Sequence, residues 1–580
     1  MGIDYTSGEE NQYKPDYVNT DKQRTLEGYN RHNMYWRGMS SLNYSYQFGE
    51  KHSGSVMLAT EVSKASWDGV YSKKKDHLDN TQVDSEKQNF ALGKTDIIGG
   101  YKGFVSTISY LGRLNYNYGN RYLLTATGRY DGTSVLSEDN RWGFFPSFSL
   151  AWRISEESFC ASAKESWLDN LKLRVGYGQT GNAGNTINYI ATYTQDNTGE
   201  LYQSRMGNPD LVWETNWQVN GGLDFGFFKN RLTGSFDVYL KRNIDLILDG
   251  TPGASIAPNG NDFYTKPSVE NTGSIENTGF DITLNTINVD RKIAGLPFQW
   301  GTDINFSMVR NKVIELNNGG EIAGRFYAKS AQRYICISRE GDAPGLFYGY
   351  KTDGVIQNTA QLNEKTRATG TRVGDLNFVD VDGNGTIDEN DMTIIGDPNP
   401  DFTFGLGNSL TLGNPKTNGV WSLSIFFSGS YGNDVFNLLR MSLDGMDEAG
   451  LNYSKDVLDY AVVKTKEDGT QYVENAGTDM PRPTTEAGQN CTLISDRYVE
   501  DGSFIRLQNV ALSYTFPTKW TEKMHLTNLK LSANVQNVYT FTSYTGYNPE
   551  VACTSPIQQG VDFASYPSPR MFVFGLSLDF

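Results

Sequence analysis

Large apolar side chains repeatedly alternate along this chain with small or polar ones, and that period of two constrains the fold more than any other feature. From Met571 to Phe580, the even positions Phe572, Phe574, Leu576, Leu578 and Phe580 are all large and apolar. The odd positions Met571, Val573, Gly575, Ser577 and Asp579 shrink and turn polar along the segment. Residues two apart share one face of a β-strand, so one face here suits an apolar surrounding and the other suits water. A tilted strand of about ten residues spans a bilayer's hydrocarbon, and a closed barrel lets strands do so with every backbone group paired. An amphipathic strand of a soluble sandwich would show the same alternation, so recurrence must decide between the two.

The pattern recurs. Leu42, Tyr44, Tyr46 and Phe48 oppose Asn43, Ser45 and Gln47. Tyr122, Leu124, Ala126 and Tyr130 oppose Arg121, Thr125, Thr127 and Arg129. Leu171, Leu173 and Val175 oppose Lys172 and Arg174, and Phe236, Val238 and Leu240 oppose Asp237 and Lys241. The clearest run sets Phe298, Trp300, Ile304, Phe306 and Met308 against Gln299, Asp303, Asn305 and Ser307. A soluble sandwich seldom turns Asp, Lys and Arg inward, whereas a water-filled membrane barrel does.

Composition agrees. The 34 Tyr, 30 Phe and 60 Gly suit aromatic girdles and close strand packing. Mean hydropathy is −0.50, and no apolar run approaches the ~18 residues that a spanning helix needs. This excludes a helical membrane protein and leaves a barrel open. A net charge of −16 argues against nucleic-acid binding, which needs basic patches. Cys160, Cys336, Cys491 and Cys553 stand far apart without a CxxC pair, so they support neither a zinc site nor a disulfide framework.

Connections fall into two classes. Short turns at 49–53, 117–120, 228–230 and 412–419 alternate with long insertions at about 65–100, 179–215, 243–278, 313–400, 430–502 and 541–569. That asymmetry predicts short periplasmic turns and long extracellular loops. The expected fold is all-β: a transmembrane antiparallel β-barrel filling 1–580, with about fifteen strands of a 22-stranded, plugged barrel. No secretory signal follows Met1, so the first strands and a plug are expected upstream of this chain.

One segment carries explicit site chemistry. Asp380, Asp382, Asn384, Asp388 and Asp391 fall at positions 1, 3, 5, 9 and 12 of an EF-hand-like loop, with Gly385 at position 6 and the Thr386 carbonyl at position 7. A hard cation needs six to eight oxygens and the glycine permits the sharp turn, so the spacing predicts a structural Ca²⁺ that braces the long insertion. Position 12 is Asp where Glu is usual, which resembles dockerin-type loops. The alternative is an acidic turn held by Asx hydrogen bonds. Aromatic residues crowd the insertions, and Tyr327, Tyr334, Tyr348, Tyr544 and Tyr547 are the candidates for stacking on a ligand. His32, His52, His77 and His525 fit no metalloprotease or triad spacing, so no enzyme activity is expected.

Eight segments, in order, then carry a family resemblance: Ala126 to Ser134, Asn140 to Trp152, Leu171 to Asn182, Asn208 to Thr215, Asn271 to Phe280, Gly345 to Tyr350, Ser503 to Val510 and Tyr566 to Leu576. Together they resemble the SusC/RagA family of TonB-dependent outer-membrane transporters of Bacteroidetes, over essentially the whole chain. The resemblance implies import of oligosaccharides or peptides across the outer membrane, a SusD-like surface lipoprotein as partner, and energy from the TonB complex through the missing N-terminal region. It implies as well that Phe572, Phe574, Leu576, Leu578 and Phe580 form the terminal strand read by the barrel-assembly machinery, with outer-membrane lipid around the wall. The rival readings are a siderophore or cobalamin receptor, a non-transporting adhesin or anchor, and a secreted calcium-braced β-protein.

Overall fold

The computed structural model describes residues 2–14, 25–75, 95–195, 201–249, 268–316, 320–325, 334–446, 452–484, 490, 493–551 and 556–580. Sixteen strands join in one sheet whose order follows the sequence. They are β1 (Gly2–Lys14), β2 (Thr25–Phe48), β3 (His52–Lys75), β4 (Thr95–Tyr118), β5 (Tyr122–Thr133), β6 (Trp142–Arg153), β7 (Leu168–Asn182) and β8 (Glu214–Phe227). The rest are β9 (Leu232–Ile244), β10 (Ser274–Ile293), β11 (Leu296–Glu315), β12 (Phe402–Asn414), β13 (Gly419–Tyr431), β14 (Phe504–Thr515), β15 (Asn528–Thr542) and β16 (Met571–Asp579).

Two details differ from the sequence expectation. The sheet has one strand more than the alternation reveals, because β1 pairs with Thr25 to Arg37 through its backbone while its residues lack apolar alternation. The insertion expected at 65–100 is shorter, since β3 continues to Lys75 and β4 starts at Thr95; β2, β3 and β4 each run 24 residues. That is more than twice the ~10 residues needed to cross a bilayer, so these strands extend the sheet past the apolar zone.

By contacts the chain divides into two compact units, residues 1–152 with 176–218 and 243–272, and residues 153–175 with 219–242 and 273–580. In the first unit, strands β2 to β6 form a continuous antiparallel ladder. Hairpins close at turns where Gly49 and Gly119 take φ of +61° and +57°, a region open to glycine without steric cost. Leu42 is 70% exposed, and Tyr44 and Phe48 on the same strand, Leu58 on β3 and Phe148 on β6 also face out. The opposite face is polar: Arg129 holds Asp131 at 2.7 Å and donates to Ser109 at 3.0 Å. A small core of Leu136, Ala183, Leu211 and Val269 lies under its insertions.

In the second unit the ladder runs β10, β11, β12, β13, β14, β15, β16. The apolar face carries an aromatic row, Phe236, Phe280, Phe306, Phe402 and Tyr431, with successive ring centroids 5.1 to 6.0 Å apart. A second group, Trp421, Tyr514, Phe516 and Trp520, sits at the short-turn end. On the other face Arg174 bridges Asp224 at 2.7 Å and Asp237 at 3.1 Å, with Lys172 3.3 Å from Asp224. Charges gathered on one face and exposed aromatics on the other invert the arrangement of a soluble sandwich.

The long insertions of this unit fold into a body of their own. Short strands Tyr334–Ser338, Leu346–Gly349 and Thr393–Gly396 pair with one another, while Asp434–Asn437 pairs with Val499–Asp501 and with Val561–Asp562. Two cores hold the body together. One gathers Ile335, Phe347, Phe436, Met441, Ile494, Tyr498 and Val561; the other gathers Tyr350, Val355, Ile356, Leu376, Phe378 and Val473.

Candidate functional site

The acidic segment of the insertion between β11 and β12 bends where Gly383 and Gly385 adopt φ of +75° and +80°. This bend brings three of the six expected ligands together: carboxylate oxygens of Asp380, Asp382 and Asp391 lie within 4.8 Å of one another. Asp380 accepts from the Gly383 and Gly385 N–H groups at 2.8 and 2.9 Å. Its slight burial works against the charge, but those two N–H groups and the nearby Lys365 outweigh it and hold the carboxyl below its ordinary range. Asp391 is 0% exposed and accepts from the Val381 N–H at 2.7 Å and the Asp388 N–H at 2.9 Å.

The other three expected ligands also take part in the turn's local bonding. Asn384 accepts from the Thr386 N–H at 2.7 Å, and Asp388 caps the short 3₁₀ turn Glu389–Asp391 by accepting from the Asn390 N–H at 2.8 Å. Thr386 itself pairs with Thr366 in a parallel bridge. The Asx hydrogen bonds of the alternative reading are therefore present together with the carboxylate cluster. Three carboxylates this close repel one another, and a divalent ion among them would remove that repulsion.

The candidate ligand tyrosines scatter. Tyr334 and Tyr547 are exposed, while Tyr348 lies beneath the Arg339 guanidinium, 4.6 Å from its ring centre. Tyr544 is buried and donates to Asp562 at 2.6 Å; its burial, and then that bond, push the phenol pKa up. Tyr544 is thus a structural residue of the loop body. Tyr327 lies outside the described residues. In the terminal strand, Phe572, Phe574, Leu576 and Leu578 stand opposite Val535, Ala533, Leu531 and Leu529 of β15, and Phe580 follows the strand's end. Of the histidines, His32 approaches Asp68 at 3.4 Å and His52 meets the Tyr116 hydroxyl at 2.8 Å, separate pairs on the sheet. His77 lies outside the described residues.

An arrangement that sequence reasoning missed sits on the polar face of β14. Arg506 is buried and stacks 5.1 Å above Phe504. It donates to Thr540 at 2.9 Å, to Glu550 at 2.6 Å and to Asn548 at 2.8 Å. Each of its three nitrogens donates to a partner, so Arg506 ties the segment Asn548–Glu550 to the wall. An Arg at an inward position, followed some forty residues later by Asn-Pro-Glu, was the available signal.

Residues 1–538 match the family described as TonB dependent receptor-like, beta-barrel. The chain is 31% identical over 93% of its length to TonB-dependent receptor P3 of Formosa agariphila, of which it covers 52%. It is 30% identical over 82% of its length to TonB-dependent receptor SusC of Bacteroides thetaiotaomicron, of which it covers 44%. The chain thus spans about half the length of these curated relatives. Its fold superposes on the RagAB peptide transporter with a TM-score of 0.77 at 22% identity, covering all of this chain and 59% of that one.

Proposed function

This chain belongs to the TonB-dependent receptor β-barrel family, in its SusC/RagA branch, as an integral outer-membrane protein, and we propose that it forms the wall and loop body of an importer of oligosaccharides or peptides. The observation that carries this reading is the two-faced sheet. Strands β7 and β9 expose Leu173, Val175, Phe236 and Val238 on one face and, with β8, gather Arg174, Asp224 and Asp237 on the other, as a polar passage through lipid requires. The outer membrane holds no ATP, so transport against a gradient draws on the TonB complex. A SusD-like lipoprotein is the proposed partner for the loop body, and the Phe580 strand the signal for barrel assembly. Removing the gene from its host, and separately disabling TonB, tests the reading. Growth on at least one oligosaccharide or peptide source should fall in both strains. Undiminished growth on every such source, or uptake that persists without TonB, overturns it.

The same reading gives the Asp380 loop a structural Ca²⁺. Asp380, Asp382 and Asp391 would hold the ion, whose charge would let a half-buried, an exposed and a buried carboxylate share one bend. Calorimetric titration of chelator-stripped protein with Ca²⁺ should show binding that Asp380→Ala abolishes. Binding unchanged by that substitution contradicts the assignment.

A further inference from the structure

The polar face of the second unit's sheet contains a cavity of about 430 Å³ at its loop end, within the usual size range of small-ligand sites. Direct strand pairing places Asn305, Gly405, Ser428, Arg506 and Thr540 side by side across β11 to β15, all on the face opposite Phe306 and Ile505. Gly405 is what seats Asn305: a Cβ there would come within 2.6 Å of the Asn305 amide. In β14 the register slips between Leu507 and Asn509, so Gln508 is an extra residue. Such bulges redirect a side chain, and here Ser428 donates to the Gln508 carboxamide at 2.7 Å. Glu550, fixed by Arg506, completes the rim.

We propose that this cavity is a binding subsite for an uncharged saccharide unit, read by Asn305, Gln508, Ser428, Asn433 and Glu550. The inference rests on the import reading and narrows its substrate class. Its chemistry is specific in two respects. Amides and hydroxyls both donate and accept, which matches sugar hydroxyls; among the described lining residues there is no Lys, Arg or His to receive a uronate, a sulfate or a peptide carboxylate. A peptide, by contrast, presents N–H and C=O groups that are best met by a free strand edge. None is offered in the rows that line the cavity, because Asn305, Gly405, Ser428 and Arg506 are each paired to a strand on both sides.

The test applies the intact protein, purified in detergent, to an array of neutral, uronate-bearing and sulfated oligosaccharides, with a tripeptide mixture in parallel. Neutral glycans should bind, and at least tenfold more weakly to Asn305→Ala and to Gln508→Ala. Unaltered heat-modifiable gel migration shows that each variant keeps its fold. The conservative Gln508→Asn variant, which retains an amide on a shorter arm, should fall between wild type and Gln508→Ala. Binding of only charged glycans or peptides, no neutral signal at all, or neutral binding that both substitutions leave intact overturns the proposal. Uptake assays separate this from the broader reading. Binding lost with uptake intact would remove neither import nor the site but confirm the site as dispensable for it, whereas binding intact with no TonB-dependent uptake would sink the import reading and leave the subsite standing.

Discussion

Phe574 and Phe436 are the same side chain in opposite settings. Phe574 is 80% exposed on the sheet, among Phe572, Leu576 and Leu578, while Phe436 is 0% exposed between Phe347 and Tyr498 in the loop body. The wall conceals its charges and displays its apolar groups; the loop body does the reverse. Two solvents thus select two patterns within one chain. In water the exposed ring would be a liability and the buried ring an asset. In lipid the exposed ring costs nothing, because the acyl chains around it are equally apolar.

The largest expected effect breaks the loop body. Phe436→Ala removes a fully buried ring and should cost about 3–5 kcal/mol. Limited proteolysis should then cut the insertions while the strands keep their heat-modifiable migration; simultaneous loss of both would show that the two parts do not unfold separately. Next, Leu42→Arg places a charge on the apolar face of β2 and should cost about 2–4 kcal/mol in denaturant titrations of vesicle-inserted protein. Leu458→Arg, at a residue of the loop body that is likewise highly exposed, should stay within about 0.5 kcal/mol. Equal costs at Leu42 and Leu458 would mean that the two surfaces face the same solvent.

A smaller effect concerns Glu500, whose carboxylate joins Arg440 at 3.1 Å and accepts from the Thr545 N–H at 2.9 Å. Burial pushes its pKa up, but the bonds from Thr545 and Arg440 outweigh this and set it below the ordinary 4.5. With the folded value below the unfolded one, the stabilisation is whole above about pH 4.5 and fades as pH falls through the folded value. Glu500→Gln should therefore destabilise the loop body by about 1.5–3 kcal/mol at pH 7 and progressively less in acid. A difference that stays constant from pH 7 to pH 3 would refute that sign.

The wall was legible because alternation repeats at every strand. β1 escaped because, after Ile3 and Tyr5, Thr6 to Gln12 carry no apolar side chain, and its place is set by backbone pairing with β2. The loop body was less legible. Phe347 reads in sequence as one more loop aromatic, yet it belongs to a core; the short apolar runs Tyr334–Ser338 and Leu346–Gly349 were the overlooked sign of buried strands. In the acidic loop, the spacing grouped six oxygen-bearing residues in one turn, of which the carboxylates of Asp380, Asp382 and Asp391 come within 4.8 Å of one another, while Asn384 and Asp388 accept from local N–H groups. The saccharide cavity could not be read from any window, since Asn305, Ser428 and Gln508 meet only through strand register and a bulge.

The two aromatic groups on β13 act as a ruler. Trp421 and Tyr431 are ten positions apart on the same face, about 34 Å along a strand at ~3.4 Å per residue. Tilted by about 45°, that length projects to roughly 24 Å, close to the apolar height of an outer-membrane barrel. Rings at both ends would anchor at the two headgroup levels and fix the protein's depth. Bilayer thickness therefore becomes a selective variable: vesicles whose acyl chains match this span should accept the protein most readily, and thicker ones should strain it.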